Sequence, residues 1–327
     1  MRLRSRLAAT LAVAAFVFGV AGCASLDAPQ TAALKAAPPA GLPERVELKD
    51  TPFFPQEIQQ CGPAALATVL SAGGVAGVSP ERLGEEVFVP ARGGSLQVEM
   101  LAAARRHDRF AVRLPARLDA LLGEVAAGHP VVVLQNLSLP IAPRWHYAVV
   151  IGFDRPRGEM LLRSGTTERL AMSMAVFERT WARSGRWAFA ALAPGELPRD
   201  VEPNELASAA VAYERSAAPR DAARVYAAVA TRLPDDVTIA IGLGNARHAG
   251  GDLRGAADAF EAAARRFDSA PAWINLAHTR LALGERAAAR EAAQRGLARA
   301  QQAEPQWLDA AREAVSATAQ KDSQAAR

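Results

Sequence analysis

The sequence is poor in cysteine, in aromatic residues and in net charge. Of 327 residues, two are cysteines and 6% are aromatic, and the formal net charge is +4 at pH 7. Such a small excess of charge, with no basic run interleaved with aromatics, gives little attraction for nucleic acid, so we expect no nucleic-acid partner. Walker loops and dinucleotide glycine motifs are missing, and the few thiols and scattered histidines show no metal-ligand spacing. We therefore expect neither a cofactor nor a metal.

The first 23 residues have the layout of a secretory signal. Three arginines precede an uncharged run, Leu7 to Val20, which at 14 residues is too short to span a bilayer. The run ends in Val20-Ala21-Gly22-Cys23, which resembles the bacterial lipobox and implies cleavage before a lipidated Cys23. An ordinary cleavage site with a chance cysteine is the alternative. By resemblance to sorted lipoproteins, Ala24 implies the periplasmic face of the outer membrane.

Lipidation of Cys23 would leave Cys61 as the only thiol of the exported protein. With no second thiol in the chain, an internal disulfide is impossible. An unpaired thiol in an oxidising compartment is a liability unless it is buried or chemistry requires it.

Composition divides the exported chain into segments. Residues 24–49 are rich in Ala and Pro and show neither the helical nor the strand period of hydrophobic residues, which predicts a tether. Residues 50–195 predict an α+β domain with helices first and an antiparallel sheet afterwards. Its predicted helices lie near 61–70, 80 onward, 95–107 and 118–127, and its predicted strands at 131–134, 147–152, 160–162 and 187–192.

Residues 203–303 are rich in Ala, Arg, Glu and Leu and repeat with a period near 34 residues. This spacing is typical of tetratricopeptide repeats, in which small residues lie where two helices cross closely. Three copies are present, and Gly244 and Gly251 of the second recur as Ala277 and Gly284 in the third. We predict an all-α solenoid, a capping helix over 304–320 and a disordered tail over 321–327. A plain Ala-rich helical bundle is the alternative.

Cys61 lies in the most informative segment of the chain, Gln56-Glu57-Ile58-Gln59-Gln60-Cys61-Gly62-Pro63-Ala64-Ala65. A cysteine directly before an apolar helix lies at the positive end of the helix dipole, which favours the thiolate, the nucleophilic form. The small residues after it allow that helix to pack closely against a sheet. A buried structural cysteine is the alternative, because free cysteines are among the most buried residues.

His146 is the histidine best placed to act as a base. It leads into an apolar run that ends at Gly152, and a histidine that begins a buried strand can be aimed at a helix terminus. A core histidine with its hydrogen bonds satisfied is the alternative. The other four lie in the repeats or among charged, Gly and Pro residues at predicted helix ends: His107, His129, His248 and His278.

Together these segments resemble the papain-like cysteine peptidases of the bacteriocin-processing type, which remove double-glycine leaders. The family pattern is a Gln shortly before Cys-Gly-Pro/Ala-Ala and, much later, His-Tyr, four apolar residues and Gly, as at 56–65 and 146–152. The resemblance covers residues 50–195 and implies that Cys61 is the nucleophile, His146 the base and Gln56 an oxyanion donor. Gln56 precedes the cysteine by five residues, where many members have six.

The orienting Asp or Asn of that family is replaced in this chain. By its place at the end of the strand after the His146 strand, Ser164 occupies the position. A serine can accept a hydrogen bond from the imidazole, but it has no charge to stabilise an imidazolium.

The sequence thus predicts a lipid-anchored cysteine peptidase of the cell envelope that cleaves peptides or protein segments. The repeats are expected to bind a protein partner or substrate. Two alternatives stay open. One is a scaffold lipoprotein whose peptidase-like domain binds peptides without cutting them, and the other is a transferase that moves an acyl or peptidyl group through the same thioester.

Overall fold

The computed structural model describes residues 28–55 and 60–325, with side chains up to residue 319, as two compact units. The first contains the described residues up to Ala103, together with Arg113–Ala191 and Pro198–Val201. The second contains Ala104–Val112, Leu192–Leu197 and the residues from Glu202 onward. The predicted signal segment with Cys23 and the predicted oxyanion donor Gln56 lie outside the described residues.

Up to residue 201 the chain follows the predicted order, with most helices before most strands. The helices are α1 (Pro29–Ala36), α2 (Cys61–Ala72), α3 (Pro80–Val87), α4 (Gln97–Arg106), α5 (Leu118–Ala126) and α6 (Met174–Ala182). The strands are β1 (Arg45–Glu47), β2 (Phe88–Val89), β3 (Gly94–Ser95), β4 (Phe110–Arg113), β5 (Val131–Asn136), β6 (Trp145–Asp154), β7 (Glu159–Ser164), β8 (Thr167–Ser173) and β9 (Ala188–Leu192).

The main sheet of the first unit is antiparallel and contains the strand order β9-β5-β6-β7-β8. In its centre, Val131 of β5 lies opposite Val150 of β6, and Leu134 lies opposite Tyr147. Every residue of β5 is buried, and β6 is buried from Tyr147 to Phe153, as expected for strands that are covered on both faces. The predicted α+β fold with an antiparallel sheet is confirmed.

Residues 29–36 and 45–47 belong to the first unit, which corrects the prediction of a tether over 24–49. Helix α1 is held by Glu178 of α6, a buried carboxylate that accepts hydrogen bonds from the Thr31 amide and hydroxyl, each at 2.7 Å. Strand β1 pairs with β6, and Val46 lies opposite Phe153. Both partners lie more than 100 residues further along the chain, so the local composition carries no signal for either contact.

From residue 202 the second unit consists of successive helix pairs. These are α7 (Pro203–Glu214) with α8 (Pro219–Arg232), α9 (Val237–Ala249) with α10 (Leu253–Phe267), and α11 (Ala270–Ala282) with α12 (Arg286–Gln302). The first helices of the three pairs begin 34 and 33 residues apart. The predicted repeat period and the all-α class of this region are confirmed.

Two glycines show why small residues recur in these repeats. A Cβ atom on Gly244 of α9 would lie 2.4 Å from the Phe260 ring of α10, and one on Gly242 would lie 2.5 Å from the Tyr226 ring of α8. Each glycine therefore lets an aromatic ring of a neighbouring helix lie directly against the α9 backbone. This close packing, repeated along the stack, buries a continuous core.

The last helix, α13 (Leu308–Ala325), follows a short turn at Pro305–Trp307. Its residues Ala311 and Ala314 are buried in the same cluster as Trp273 of α11, as expected for a capping helix. The helix continues to Ala325, so residues 321–325 are helical where a disordered tail was predicted. Among the described helices, none combines the length and the apolar character needed to cross a membrane.

The two units are not divided at a single point in the sequence. Phe110, far upstream of the repeats, packs edge to face on Tyr213 of α7, with ring centroids 5.9 Å apart. Both rings are fully buried. Because of such contacts, Ala104–Val112 groups with the second unit, although 50–195 was predicted to form one domain.

Candidate active site

Cys61 is the first residue of α2 and is half-buried. The helix behind it is buried from Gly62 to Leu70, because its sequence is apolar on every face. A Cβ atom on Gly62 would lie 2.4 Å from the Ser95 hydroxyl of β3. Gly62 therefore allows β3 to lie against the first turn of α2. Unpaired backbone amides at this end of the helix favour a negative charge.

His146 is the second residue of β6 and its imidazole is held by β7. The distance from His146 Nε2 to Ser164 Oγ is 2.9 Å, so Ser164, the last residue of β7, forms a hydrogen bond with the imidazole. With Nε2 in this hydrogen bond, Nδ1 is the ring nitrogen left for a thiol. Burial lowers the pKa of His146 below its ordinary value, and the positive charge of Arg144 lowers it further, so the neutral imidazole that can accept a proton is favoured.

Cys61 and His146 line one cavity of about 760 Å³. Among the described residues, Cys61 Sγ has no hydrogen-bond partner, and the ring partner of His146 is Ser164. The structure thus places the predicted nucleophile and base on the same cavity without a hydrogen bond between them. In enzymes without substrate, such contacts are often long and become shorter when the substrate binds.

Two further residues, Ser95 and Tyr147, line the cavity beside Cys61. The Tyr147 hydroxyl donates to the Ser95 carbonyl at 3.1 Å, and its pKa is raised by burial and further by the charge of Cys61. The Ser95 hydroxyl is buried and has no hydrogen-bond partner among the described residues. Tyr147 and Ser95 therefore form the polar wall next to the thiol. Tyr147 is part of the His-Tyr motif that the sequence shows, whereas Ser95 lies on a two-residue strand that no period reveals.

The chain leading towards Cys61 is held by Arg163 of β7. This buried guanidinium donates to three backbone carbonyls, those of Lys49, Thr51 and Glu168, at 2.6 to 3.1 Å. Three carbonyl acceptors satisfy most of the donors of one guanidinium in a fixed plane. Arg163 thus positions residues 49–51, a few residues before the predicted oxyanion donor Gln56.

Gly152, the last residue of the His146 motif, has a backbone role. A Cβ atom there would lie 2.3 Å from the Val46 carbonyl of β1, and the β6–β7 register shifts between Val150 and Gly152. The glycine permits β1 to approach β6 at this irregularity. It therefore shapes the strand that carries His146, away from the chemistry itself.

Residues 48–189 match the family model described as Peptidase_C39 like family. This match confirms the resemblance drawn from the Cys61 and His146 segments, over nearly the predicted range. The chain thus combines a C39-peptidase-like domain with tetratricopeptide-like repeats. No curated protein matches the chain at a significant level.

Solved structures resemble each part of the chain separately. A protein from Bacillus anthracis, described as a C39-like peptidase, is 20% identical and covers 46% of this chain and 98% of its own, with a TM-score of 0.40. The Sgt2 repeat domain from Aspergillus fumigatus is 22% identical and covers 39% of this chain and 83% of its own, with a TM-score of 0.35. The TPR2B domain of yeast Sti1, in complex with pHsp70, is 17% identical and covers 36% of this chain and 97% of its own, with a TM-score of 0.34.

Proposed function

We propose that this protein is a cysteine peptidase in which the Cys61 thiolate attacks a peptide carbonyl and His146 transfers the proton. The observation that carries the proposal is that both side chains line one cavity of about 760 Å³. A cavity of this size is typical of sites that enclose a ligand of several residues. The family match over residues 48–189 supports the same chemistry.

The reaction needs a nucleophile, a proton-transfer group, a group that orients the imidazole and oxyanion donors, and we assign these four roles to residues of the first unit. The thiolate forms a bond to the carbonyl carbon, and the imidazolium then protonates the departing amine, which leaves an acyl-enzyme on Cys61. His146 next takes a proton from the water that hydrolyses this thioester. Ser164 fixes the imidazole through Nε2, and the Cys61 amide with the Gln56 side chain would hold the oxyanion, as in the family that the sequence resembles.

A second candidate function is favoured by one observation, the neutral group beside His146. The Ser164 hydroxyl orients the ring at 2.9 Å but adds no negative charge to stabilise an imidazolium. If the protein does not cut, the same cavity serves a scaffold that binds peptides. The two functions make opposite predictions for the reactivity of Cys61.

The repeats are proposed to recruit a protein partner or a substrate. Within the second unit they enclose a groove of about 980 Å³ whose lining is largely apolar and also includes the polar side chains of Asn245 and Asn275. Asn275 donates to Asn245 at 3.1 Å, so a pair of amides from successive repeats faces a bound chain. Side-chain amides can pair with the backbone of an extended peptide.

We further propose that the protein is anchored by a lipid on Cys23 at the periplasmic face of the outer membrane. The support is the lipobox-like sequence and Ala24 after it. In a Gram-negative host, the protein should incorporate labelled fatty acid and partition into detergent, and Cys23→Ser should abolish both. Wild-type protein recovered as soluble, unlipidated periplasmic material would contradict the anchor.

Alkylation of Cys61 by iodoacetamide tests the peptidase proposal. The full chain with Cys23→Ser has one thiol, and its labelling rate should be high well below pH 8 and should fall in His146→Ala. His278→Ala is the matched control, because that histidine is exposed and lies in the repeats. Peptide cleavage should be lost about equally in Cys61→Ala and His146→Ala, since a nucleophile and its base act as a unit. Slow labelling that does not depend on His146 would instead favour the scaffold.

A further inference from the structure

The described side chains around the cavity beside Cys61 carry positive charge and no negative charge. Three arginines line it, Arg92, Arg144 and Arg183, and no Asp or Glu is among its described lining residues. Arg183 donates to the Ser138 carbonyl at 3.0 Å. The guanidinium groups of Arg92 and Arg144 make no hydrogen bond or ion pair with any described residue. Two cations are therefore available at this cavity for a ligand.

Some arginines elsewhere in the first unit pair with acids, and others donate to backbone carbonyls, as Arg155 does to those of Leu42 and Pro43. Arg45 lies 2.9 Å from Asp154, and Arg169 lies 2.7 Å from Glu47 and binds it through two nitrogens. The unit thus has acids that pair with some of its cations, whereas the described residues that line the cavity include no acid. Guanidinium groups bind carboxylates through two parallel hydrogen bonds, which gives both affinity and geometric selectivity.

The rim of the same cavity is apolar. Leu96 and Trp145 both line it, and they are 39% and 53% exposed. Large exposed apolar side chains at the edge of a cleft provide a surface for an apolar side chain of a ligand. Charge and apolar surface therefore lie side by side around the thiol.

We propose that this cavity binds peptide segments in which Asp or Glu side chains stand next to an apolar residue. The proposal names the substrate class of the peptidase site, and in that sense it rests on the function proposed above. A cleft lined by one sign of charge concentrates field lines and raises the local concentration of ligands of the opposite sign. The effect of Arg144 on the pKa of His146 agrees with such a field inside the cavity.

Competition for Cys61 tests the binding of acidic peptides directly. Two synthetic peptide pools share a fixed apolar residue and differ at the position beside it. One pool has Glu at that position and the other has Gln, and all other positions are the same. At low ionic strength, the Glu pool should protect Cys61 from iodoacetamide at roughly a tenfold lower concentration, the ratio expected for one charge-assisted contact of about 1.4 kcal/mol. In 1 M salt the difference should shrink, because the Debye length falls to about 3 Å.

Substitutions of Arg92 and Arg144 test whether these residues cause the preference for the Glu pool. Arg92→Gln and Arg144→Gln should each reduce the ratio between the pools, and the double variant should bring it close to one. Arg157→Gln is the matched control, since this guanidinium is 71% exposed and pairs with Asp154 outside the cavity. Equal protection by the two pools, or an equal loss of preference in Arg157→Gln, would overturn the proposal.

A second measurement needs no peptide. Iodoacetate carries a negative charge and iodoacetamide does not, so the ratio of their rates at Cys61 reports the local field. This ratio should fall several-fold in the Arg92→Gln/Arg144→Gln variant and stay constant in Arg157→Gln. A ratio that does not respond to the arginines counts against the proposal.

Cleavage of the two pools separates this proposal from the peptidase function. Protection of Cys61 by the Glu pool without cleavage of either pool would contradict the peptidase function and support acidic binding. Cleavage of both pools at equal rates would support the peptidase and overturn the acidic preference.

Discussion

Replacement of Ser164 by Asp should make Cys61 more reactive at low pH. The distance of 2.9 Å between Ser164 Oγ and His146 Nε2 allows a carboxylate on the same strand position to meet the imidazole. A neutral hydrogen bond contributes about 0.5–1.5 kcal/mol and one to a charged group about 1.5–3 kcal/mol. The exchange therefore stabilises the imidazolium by about 1–2 kcal/mol more than serine does, which corresponds to roughly a 5- to 30-fold change in its population.

The assay is the rate of iodoacetamide alkylation between about pH 5 and pH 9, in the full chain with Cys23→Ser. If His146 and Cys61 form a thiolate–imidazolium pair, Ser164→Asp should label roughly 5- to 30-fold faster than wild type near pH 6. Ser164→Asn is the matched control, because it has nearly the same shape and no charge. Ser164→Ala should slow labelling by up to about tenfold, the value of one neutral hydrogen bond.

Two results would refute this reasoning. Equal rates for Ser164→Asp and Ser164→Asn would mean that charge at this position does not reach the thiol. An acceleration that persists in the Ser164→Asp/His146→Ala double variant would mean that the carboxylate acts without the imidazole, so His146 would not be the base.

Three further predictions concern stability. In a Cys61→Ala variant, which has no thiolate to pair with the imidazolium, the free energy of unfolding should fall as pH drops through about 6.5. Burial and Arg144 depress the pKa of folded His146 below its ordinary value of 6.5, so the unfolded chain takes up the proton first. Urea midpoints should depend less on pH when His146→Gln is added to this variant. Glu178→Gln should lower the free energy of unfolding by about 1–3 kcal/mol, because the carboxylate accepts hydrogen bonds from the Thr31 amide and hydroxyl. Hydrogen exchange over 29–36 should become faster, and unchanged exchange there would contradict the prediction. Gly244→Ala should lower the Tm, because the added methyl group overpacks against the Phe260 ring; the expected loss in the free energy of unfolding is about 1–3 kcal/mol. Adding Phe260→Leu should restore part of that loss. If the losses of the two substitutions are instead additive, the contact does not cause the destabilisation.

Features with a period or a compact motif could be predicted from the sequence. The helix after Cys61, the strand after His146 and the 34-residue repeat each repeat a local pattern, and all three are present. The hydrogen bond of Ser164 to His146 could also be predicted, because counting along two strands joined by a short turn fixes their relative register.

Features that depend on distant partners could not be predicted. Helix α1 is ordered by Glu178, and the three-residue strand β1 is ordered by β6. Strand β8 is largely exposed and polar, so its residues show no clear alternation. The cavity arginines gave no signal either, because an arginine in a polar segment has the same local pattern whether it lines a cavity or faces solvent.

If Cys23 carries a lipid as proposed, the hydrogen bonds of Glu178 to α1 would also limit the distance between the first unit and the membrane. A lipid on Cys23 would leave six peptide links before Pro29, where α1 begins. Fully extended, such a segment reaches at most about 20 Å, whereas a free chain to residue 49 would reach roughly 90 Å. The unit would then act within one domain diameter of the membrane surface. Substrates would then have to come to that layer, or be brought there by the repeats, since such an anchor would leave the first unit no slack to reach further.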